Sequence, residues 1–293
     1  MARQEESSLP EQSRLLRWAK IALVAGLLGT LYGQVLAALA GDWWNDPAYS
    51  HGLLIPPLAL YLAWGRRALL VSEPAAGENR GLLLTAAGCL LFLAGRLGAE
   101  FFITRVSLVV LLTGLIWTFW GRRRVVVLGF PLLLLTTMIP LPAILYNAAA
   151  APLQLAASQA SAGILQIFSV PVYRDGNILH LPQISLGVAE ACSGLRSLTS
   201  LVVLALLAGH LWCSRAATRV ALLALTIPIA IGVNILRVAG TALLADHDPD
   251  WALGFYHLFS GWLVFVAGFG LLLAATKGLK AALERRVSAE AVL

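Results

Sequence analysis

Apolar runs of about 20 residues, separated by short polar or basic segments, follow one another along almost the whole chain. A helix rising 1.5 Å per residue needs about 20 apolar residues to cross a hydrocarbon core of about 30 Å. Such runs fall at residues 18–40, 52–70, 81–99, 105–120, 125–146, 194–213, 218–242 and 257–276, and predict eight membrane-spanning helices. The second run is the weakest. Gly52 and Gly65 are only thirteen positions apart and Pro56-Pro57 fall between them, so this span is expected to tilt, kink or extend past Arg66-Arg67. Residues 147–170 break the pattern. They are Ala-rich, with Asn147, Gln154, Ser158, Gln159, Ser161 and Gln166 recurring, and read as an interfacial or bundle-packed helix, not a span. Next, two short β-prone runs, Val170–Tyr173 and Ile178–Leu181, flank Arg174-Asp175-Gly176-Asn177. Asp-Gly between such runs predicts a β-hairpin, followed by an extended stretch into Ala191-Cys192. The expected fold is therefore an all-α polytopic membrane protein of about eight transmembrane helices, with a small hairpin before the sixth.

Composition agrees. Hydrophobic residues make up 59% of the 293 and charged residues 12%, against about 25% charged in a typical soluble domain. Mean hydropathy is +0.81. These values disfavour a soluble enzyme, a disordered chain and a disulfide scaffold. The net charge of +6 does not indicate nucleic acid, because the basic residues cluster between apolar runs, where they set topology and meet anionic lipid. Of the 21 Lys and Arg, 16 fall in segments that alternate spans place on one side, among them Arg66, Arg67, Arg80, Arg122-Arg123-Arg124, Arg215 and Lys277. The positive-inside rule makes that side cytoplasmic and puts both termini there. Residues 1–17 and 277–293 are expected as cytoplasmic tails around a single membrane domain over 18–276. The glycines Gly26, Gly29 and Gly33 in the first run have the small-residue spacing that packs helices.

Chemistry concentrates on the far side. Cys192, in Glu190-Ala191-Cys192-Ser193-Gly194-Leu195-Arg196, stands at the far-side N-terminus of the sixth span, where free N–H groups and the helix dipole favour thiolate. Arg237, in Asn234-Ile235-Leu236-Arg237, lies near the far-side end of the seventh span, where an arginine is costly and marks function or snorkelling. His257 opens the eighth span at the same face. A thiol, an imidazole and a guanidinium at one face suit acyl transfer, as nucleophile, proton shuttle and oxyanion stabiliser. Cys89 is mid-span, and Cys213 follows Cys192 by 21 residues, about 30 Å along a helix; neither joins this group. His51 is a rival histidine, in a far-side loop with Trp43, Trp44 and Tyr49. The acidic run Asp246-His247-Asp248-Pro249-Asp250 reads as a solvated turn, and no metal site is expected.

At these residues the chain resembles an exosortase, of the exosortase/archaeosortase family. The matching pieces are Glu190 to Leu195, Asn234 to Arg237, His257 followed by Gly261, and Asp46-Pro47-Ala48-Tyr49-Ser50-His51-Gly52 running into Leu54-Ile55-Pro56. The resemblance covers roughly residues 40–276. It implies a bacterial inner-membrane cysteine peptidase or transpeptidase, without a cofactor, that cleaves the C-terminal PEP-CTERM sorting tail of exported proteins at the periplasmic face. It further implies Cys192, Arg237 and His257 as catalytic residues, and Arg196, Glu190, Asn234, His51 and Tyr49 as substrate-binding residues. A Pro-Glu-Pro tail needs a cationic partner for its glutamate, and Arg196, Arg174 and Arg237 are the candidates, with Arg196 favoured. Expected partners are the bilayer, tailed exported proteins and exopolysaccharide-associated proteins. The competing readings are a transporter or export component for exopolysaccharide, and a scaffold that binds tails without cutting them.

Overall fold

The computed structural model describes residues 11–72, 76–188, 195–248, 250 and 255–284. The chain divides into two compact units, residues 1–141 and 142–293.

In the first unit, α1 (Glu11–Asn45) is followed by a 3-10 turn (Ser50–Leu53), α2 (Ile55–Gly65), α3 (Arg67–Ser72), α4 (Arg80–Leu97), α5 (Phe101–Trp120), α6 (Arg122–Val127) and α7 (Gly129–Thr136). The α4–α5 pair is its most intimate packing. Gly81, Gly88 and Gly95 recur every seven residues on α4 and lie against Thr118, Leu111 and Thr104 of the antiparallel α5. A Cβ at Gly88 would stand 2.8 Å from the Leu111 Cα, and one at Gly114 of α5 would stand 2.5 Å from the Thr85 N. Without side chains on this seam the two backbones close to van der Waals contact, the main source of helix association in lipid. On the opposite face of α4, Leu83, Leu90 and Leu97 keep the same sevenfold spacing and are 75%, 66% and 87% exposed. Such a face would be costly in water and is suited to lipid tails. On α1, Tyr32, Val35, Leu39 and Trp43 form the buried stripe, with the Tyr32 hydroxyl 2.8 Å from Ser107 Oγ. Within this chain the close glycine packing of the unit is that of α4 and α5; Gly26, Gly29 and Gly33 have nothing of the same chain within 4 Å of a built Cβ.

Six helical stretches are long and apolar enough to cross a membrane: 22–45, 80–97, 101–120, 195–212, 216–247 and 259–284. Eight spans were expected, and the second and fifth are the ones that break. Pro56 and Pro57 sit in the first turn of α2, where no N–H is needed, so they start a helix there and do not kink one. α2, of 11 residues, is about 16 Å long, half a hydrocarbon core; the chain breaks at Arg66 and continues as α3 to Ser72, so the run does extend past Arg66-Arg67, as two short helices. The fifth run stops at Thr136, ahead of Pro140 and Pro142, which cannot donate to a continuing helix. Two carbonyls freed at that stop find side-chain donors within the unit. Trp43 Nε1 donates to the Met138 carbonyl at 2.8 Å, and His51 Nε2 lies 3.3 Å from that of Thr137.

The second unit contains α8 (Ala143–Ile167), strands β1 (Tyr173–Asp175), β2 (Ile178–His180) and β3 (Ser185–Gly187), then α9 (Leu195–Trp212), α10 (Ala216–His247) and α11 (Phe255–Leu279), which ends in a π-helical turn (Lys280–Glu284). The bundle-packed helix expected over 147–170 is α8, which lies on α10 and donates from Ser161 Oγ to the Ile235 carbonyl at 3.2 Å. The expected hairpin is present, with its turn one residue later than the Asp-Gly signal suggests. Asp175 pairs with Ile178, and Gly176-Asn177 make the turn. Gly176, with φ +58°, supplies the left-handed first position that such two-residue turns require. β3 pairs with β2 and extends the hairpin to three strands. Leu179, Leu181 and Val188 bury against Ala157, Leu165, Val238 and Ala242. Ser158 Oγ donates to the Gly176 carbonyl at 2.9 Å, so the sheet is fastened to α8.

Candidate functional site

α9, α10 and α11 pack against one another around Leu201, Ala205, Leu222, Ala230 and Leu272. Short connections make them antiparallel neighbours. The N-terminus of α9, the C-terminal half of α10 and the N-terminus of α11 therefore share one end of the group. From the α9–α10 turn, Arg196 stands about 25 Å up α9 and Arg237 about 32 Å up α10.

Arg237 points at α11. Its Nε lies 3.4 Å from Ser260 Oγ, and a Cβ added to Gly261 would meet its Nη2 at 3.6 Å. Both Ser260 and Asn234, one turn before Arg237, are 2% exposed. A guanidinium in this apolar group is thus set among buried polar side chains that offset its desolvation. Residue 257 precedes Ser260 and Gly261 by three and four positions and shares their face of α11; the His257 side chain lies outside the described residues. Ser260 is the site residue that the sequence reading missed. Its signal was a polar residue one turn after His257 in an otherwise apolar run.

Cys192 and Glu190 also lie outside the described residues. They fall between Val188, fixed by its N–H bond to the Asn177 carbonyl at 2.8 Å, and Leu195, the first residue of α9. Arg196 is the second residue of α9. Its Nε is buried and has no hydrogen-bond partner among the described residues. Arg174 is exposed in β1 and bonds the Gly176 carbonyl at 2.7 Å. The other two cysteines differ in setting. Cys89 is exposed on the outer surface of α4. Cys213 is buried in the α9–α10 turn, where burial foremost, and then the Glu284 carboxylate, push its thiol up and away from thiolate.

His51 and Tyr49 belong to the first unit. Tyr49 precedes the 3-10 turn, and its carbonyl accepts from Gly52 N at 2.8 Å. His51 is partly buried, with Nδ1 facing no partner among the described residues. Burial pushes its pKa down, and the carbonyls of Thr137 and Ala48 oppose that only in part. Because a carbonyl only accepts, Nε2 is the ring's donor to Thr137, and it closes the end of α7.

Comparison with curated proteins returns no match, and comparison with solved structures returns none. A family model described as transmembrane exosortase matches residues 43–274, which takes in the 3-10 turn bearing His51, the sheet, and all of α9 and α10. That is well over half of the chain, and the chain belongs to the transmembrane exosortase family.

Proposed function

We propose that this exosortase is a cysteine peptidase or transpeptidase in which Cys192 is the nucleophile, His257 the proton shuttle and Arg237 the oxyanion partner. The observation that carries this reading is the setting of Arg237. A permanently charged, planar donor stands within reach of the first turns of α11, in a low-dielectric helix group where such a charge is worth most. In the reaction the Cys192 thiolate attacks the scissile carbonyl. The carbonyl oxygen becomes an oxyanion against Arg237. Collapse breaks the C–N bond, the leaving amine takes a proton from His257, and a thioester remains. Water or an amine acceptor then attacks the thioester, gives its proton to His257 and releases Cys192.

The substrate we propose is the C-terminal sorting tail of an exported protein, carrying Pro-Glu-Pro before an apolar span and a basic end. Arg196 is its glutamate partner. Its buried Nε, without an acceptor among the described residues, supports this role, because a carboxylate would satisfy a donor that is otherwise costly. Asn234 and Glu190 flank the same chemistry, and the chemistry belongs to the periplasmic face of the inner membrane. The test is co-expression with an exported reporter bearing such a tail, read by intact mass. Wild type is expected to remove the tail and Cys192→Ala, at equal membrane abundance, to leave it whole. Equal processing by both would remove Cys192 from the reaction.

A further inference from the structure

We infer that the first unit holds a binding site for the phosphodiester of an anionic phospholipid, built by α1, α4 and α5 with Arg96 as its cation. A cavity of about 260 Å³ opens among these helices, lined in part by Gln34, Ala38, Arg96, Ala99, Phe101 and Arg105. Pockets for whole small molecules begin at roughly 300 Å³, so this one suits a headgroup whose tails lie elsewhere.

The two arginines are not equivalent. Arg105 is 11% exposed and paired with Asp42, so its charge is already matched. The Arg96 guanidinium, exposed in the last turn of α4, has no ion pair or hydrogen bond with any described residue. The cavity therefore carries one uncompensated positive charge beside a matched pair, with the Gln34 amide as a further donor. A planar guanidinium donates two parallel bonds to phosphate oxygens. The mouth of the cavity selects an amphiphile over a free ion. Leu97 and Phe101, next to Arg96 and to the α4–α5 turn, are among the most exposed apolar side chains of the unit. Acyl chains descending from a phosphate at Arg96 toward the bilayer centre would run along Leu93 and Leu90, exposed on α4 within two turns before it. α1 continues from Ala38 for seven residues to Asn45, about 10 Å, and on the way carries Asp42, the partner of Arg105.

The test uses the purified full chain in neutral detergent, with thermal unfolding followed while phosphatidylglycerol, phosphatidylcholine or inorganic phosphate is added. A ligand that binds only the folded state raises the midpoint saturably. Phosphatidylglycerol is expected to do so; inorganic phosphate, without acyl chains, is not, nor is phosphatidylcholine, whose choline cation would stand in a lining that carries Arg96 and Arg105, and an equal response to phosphatidylcholine would overturn the selectivity for an anionic lipid. Arg96→Gln removes the cation and keeps the side-chain volume, and Ala38→Phe, at an exposed position, fills the cavity and keeps both arginines. Arg96→Gln is expected to weaken the phosphatidylglycerol effect by about tenfold, the worth of one charge-assisted hydrogen bond, and Ala38→Phe to weaken it at least as much by excluding the headgroup. Arg80→Gln, at the other end of α4, is expected to leave it unchanged. An undiminished effect in Arg96→Gln or Ala38→Phe would overturn the site. Equal weakening in Arg80→Gln would reduce it to general surface charge, and an equal response to inorganic phosphate would replace the lipid with a soluble anion.

Discussion

In the proposed mechanism Arg237 stabilises the oxyanion, and its identity as an arginine is testable. Lysine keeps the charge and loses the planar fork. If the guanidinium stabilises an oxyanion, Arg237→Lys lowers tail removal by about 10²–10³-fold, the usual cost of one such donor, at unchanged membrane abundance. In the same proposal Ser260, 3.4 Å from Arg237 Nε, positions the guanidinium. Ser260→Ala removes one neutral partner worth about 1 kcal/mol, hence a loss of roughly fivefold; Ser260→Thr, which restores the hydroxyl, recovers it, whereas a purely structural role would show as reduced abundance in Ser260→Ala. His51 gives a residue-scale prediction of another kind. Its folded pKa lies below the unfolded value of about 6.5. As pH falls through that value the unfolded chain takes up the proton first, so stability present above about pH 6.5 is lost on acidification. His51→Gln keeps a donor for Thr137 and does not titrate, so a melting series from pH 7.5 to 5 is expected to flatten in this variant. The sequence marked His51 as a polar, far-side histidine. It did not show that the ring closes a helix end, because the Thr137 carbonyl it meets is 86 residues away.

At the scale of elements, the glycine seam between α4 and α5 carries most of the first unit's helix packing. The residues at 81, 88 and 95 and their partners at 118, 111 and 104 are in antiparallel register. Introducing a side chain at its centre forces two backbones apart, and Gly88→Leu is expected to cost about 1–3 kcal/mol, read as earlier thermal unfolding in detergent. Gly26→Leu, at an open position of α1, is the matched control and is expected to be near neutral. Sequence spacing pointed to Gly26, Gly29 and Gly33 and not to the glycines of α4. Spacing alone does not tell which helix finds a partner, whereas the outward heptad of Leu83, Leu90 and Leu97 on the same helix carried the missing phase information. The hairpin was legible because Gly176 has a local reason to turn. The third strand, Ser185–Gly187, was not, since three residues of mixed polarity have no period of their own and pair only because β2 presents an edge.

Across the whole molecule, hydropathy identified the membrane class, and six of its eight predicted spans match helices long and apolar enough to cross. The second and fifth runs are each divided into two short helices, where starts and stops are set by proline and by distant donors: Pro56 and Pro57 open α2, and Trp43 and His51 close α7. The family match runs through both units and ends within α11. In the second unit, Arg196, Arg237 and the start of α11 come to one end of a three-helix group, as alternating spans require. In the proposed mechanism Cys192 carries the reporter as a thioester. This step is tested most directly by acid-quenching a reaction between the purified chain and a Pro-Glu-Pro-tailed reporter, then measuring the mass of the Cys192 peptide. The account predicts an adduct on Cys192 equal to the new C-terminus of the reporter body, released by neutral hydroxylamine and absent in Cys192→Ala. Tail removal at the wild-type rate by Cys192→Ala, with no adduct on any cysteine of the wild type, would contradict it.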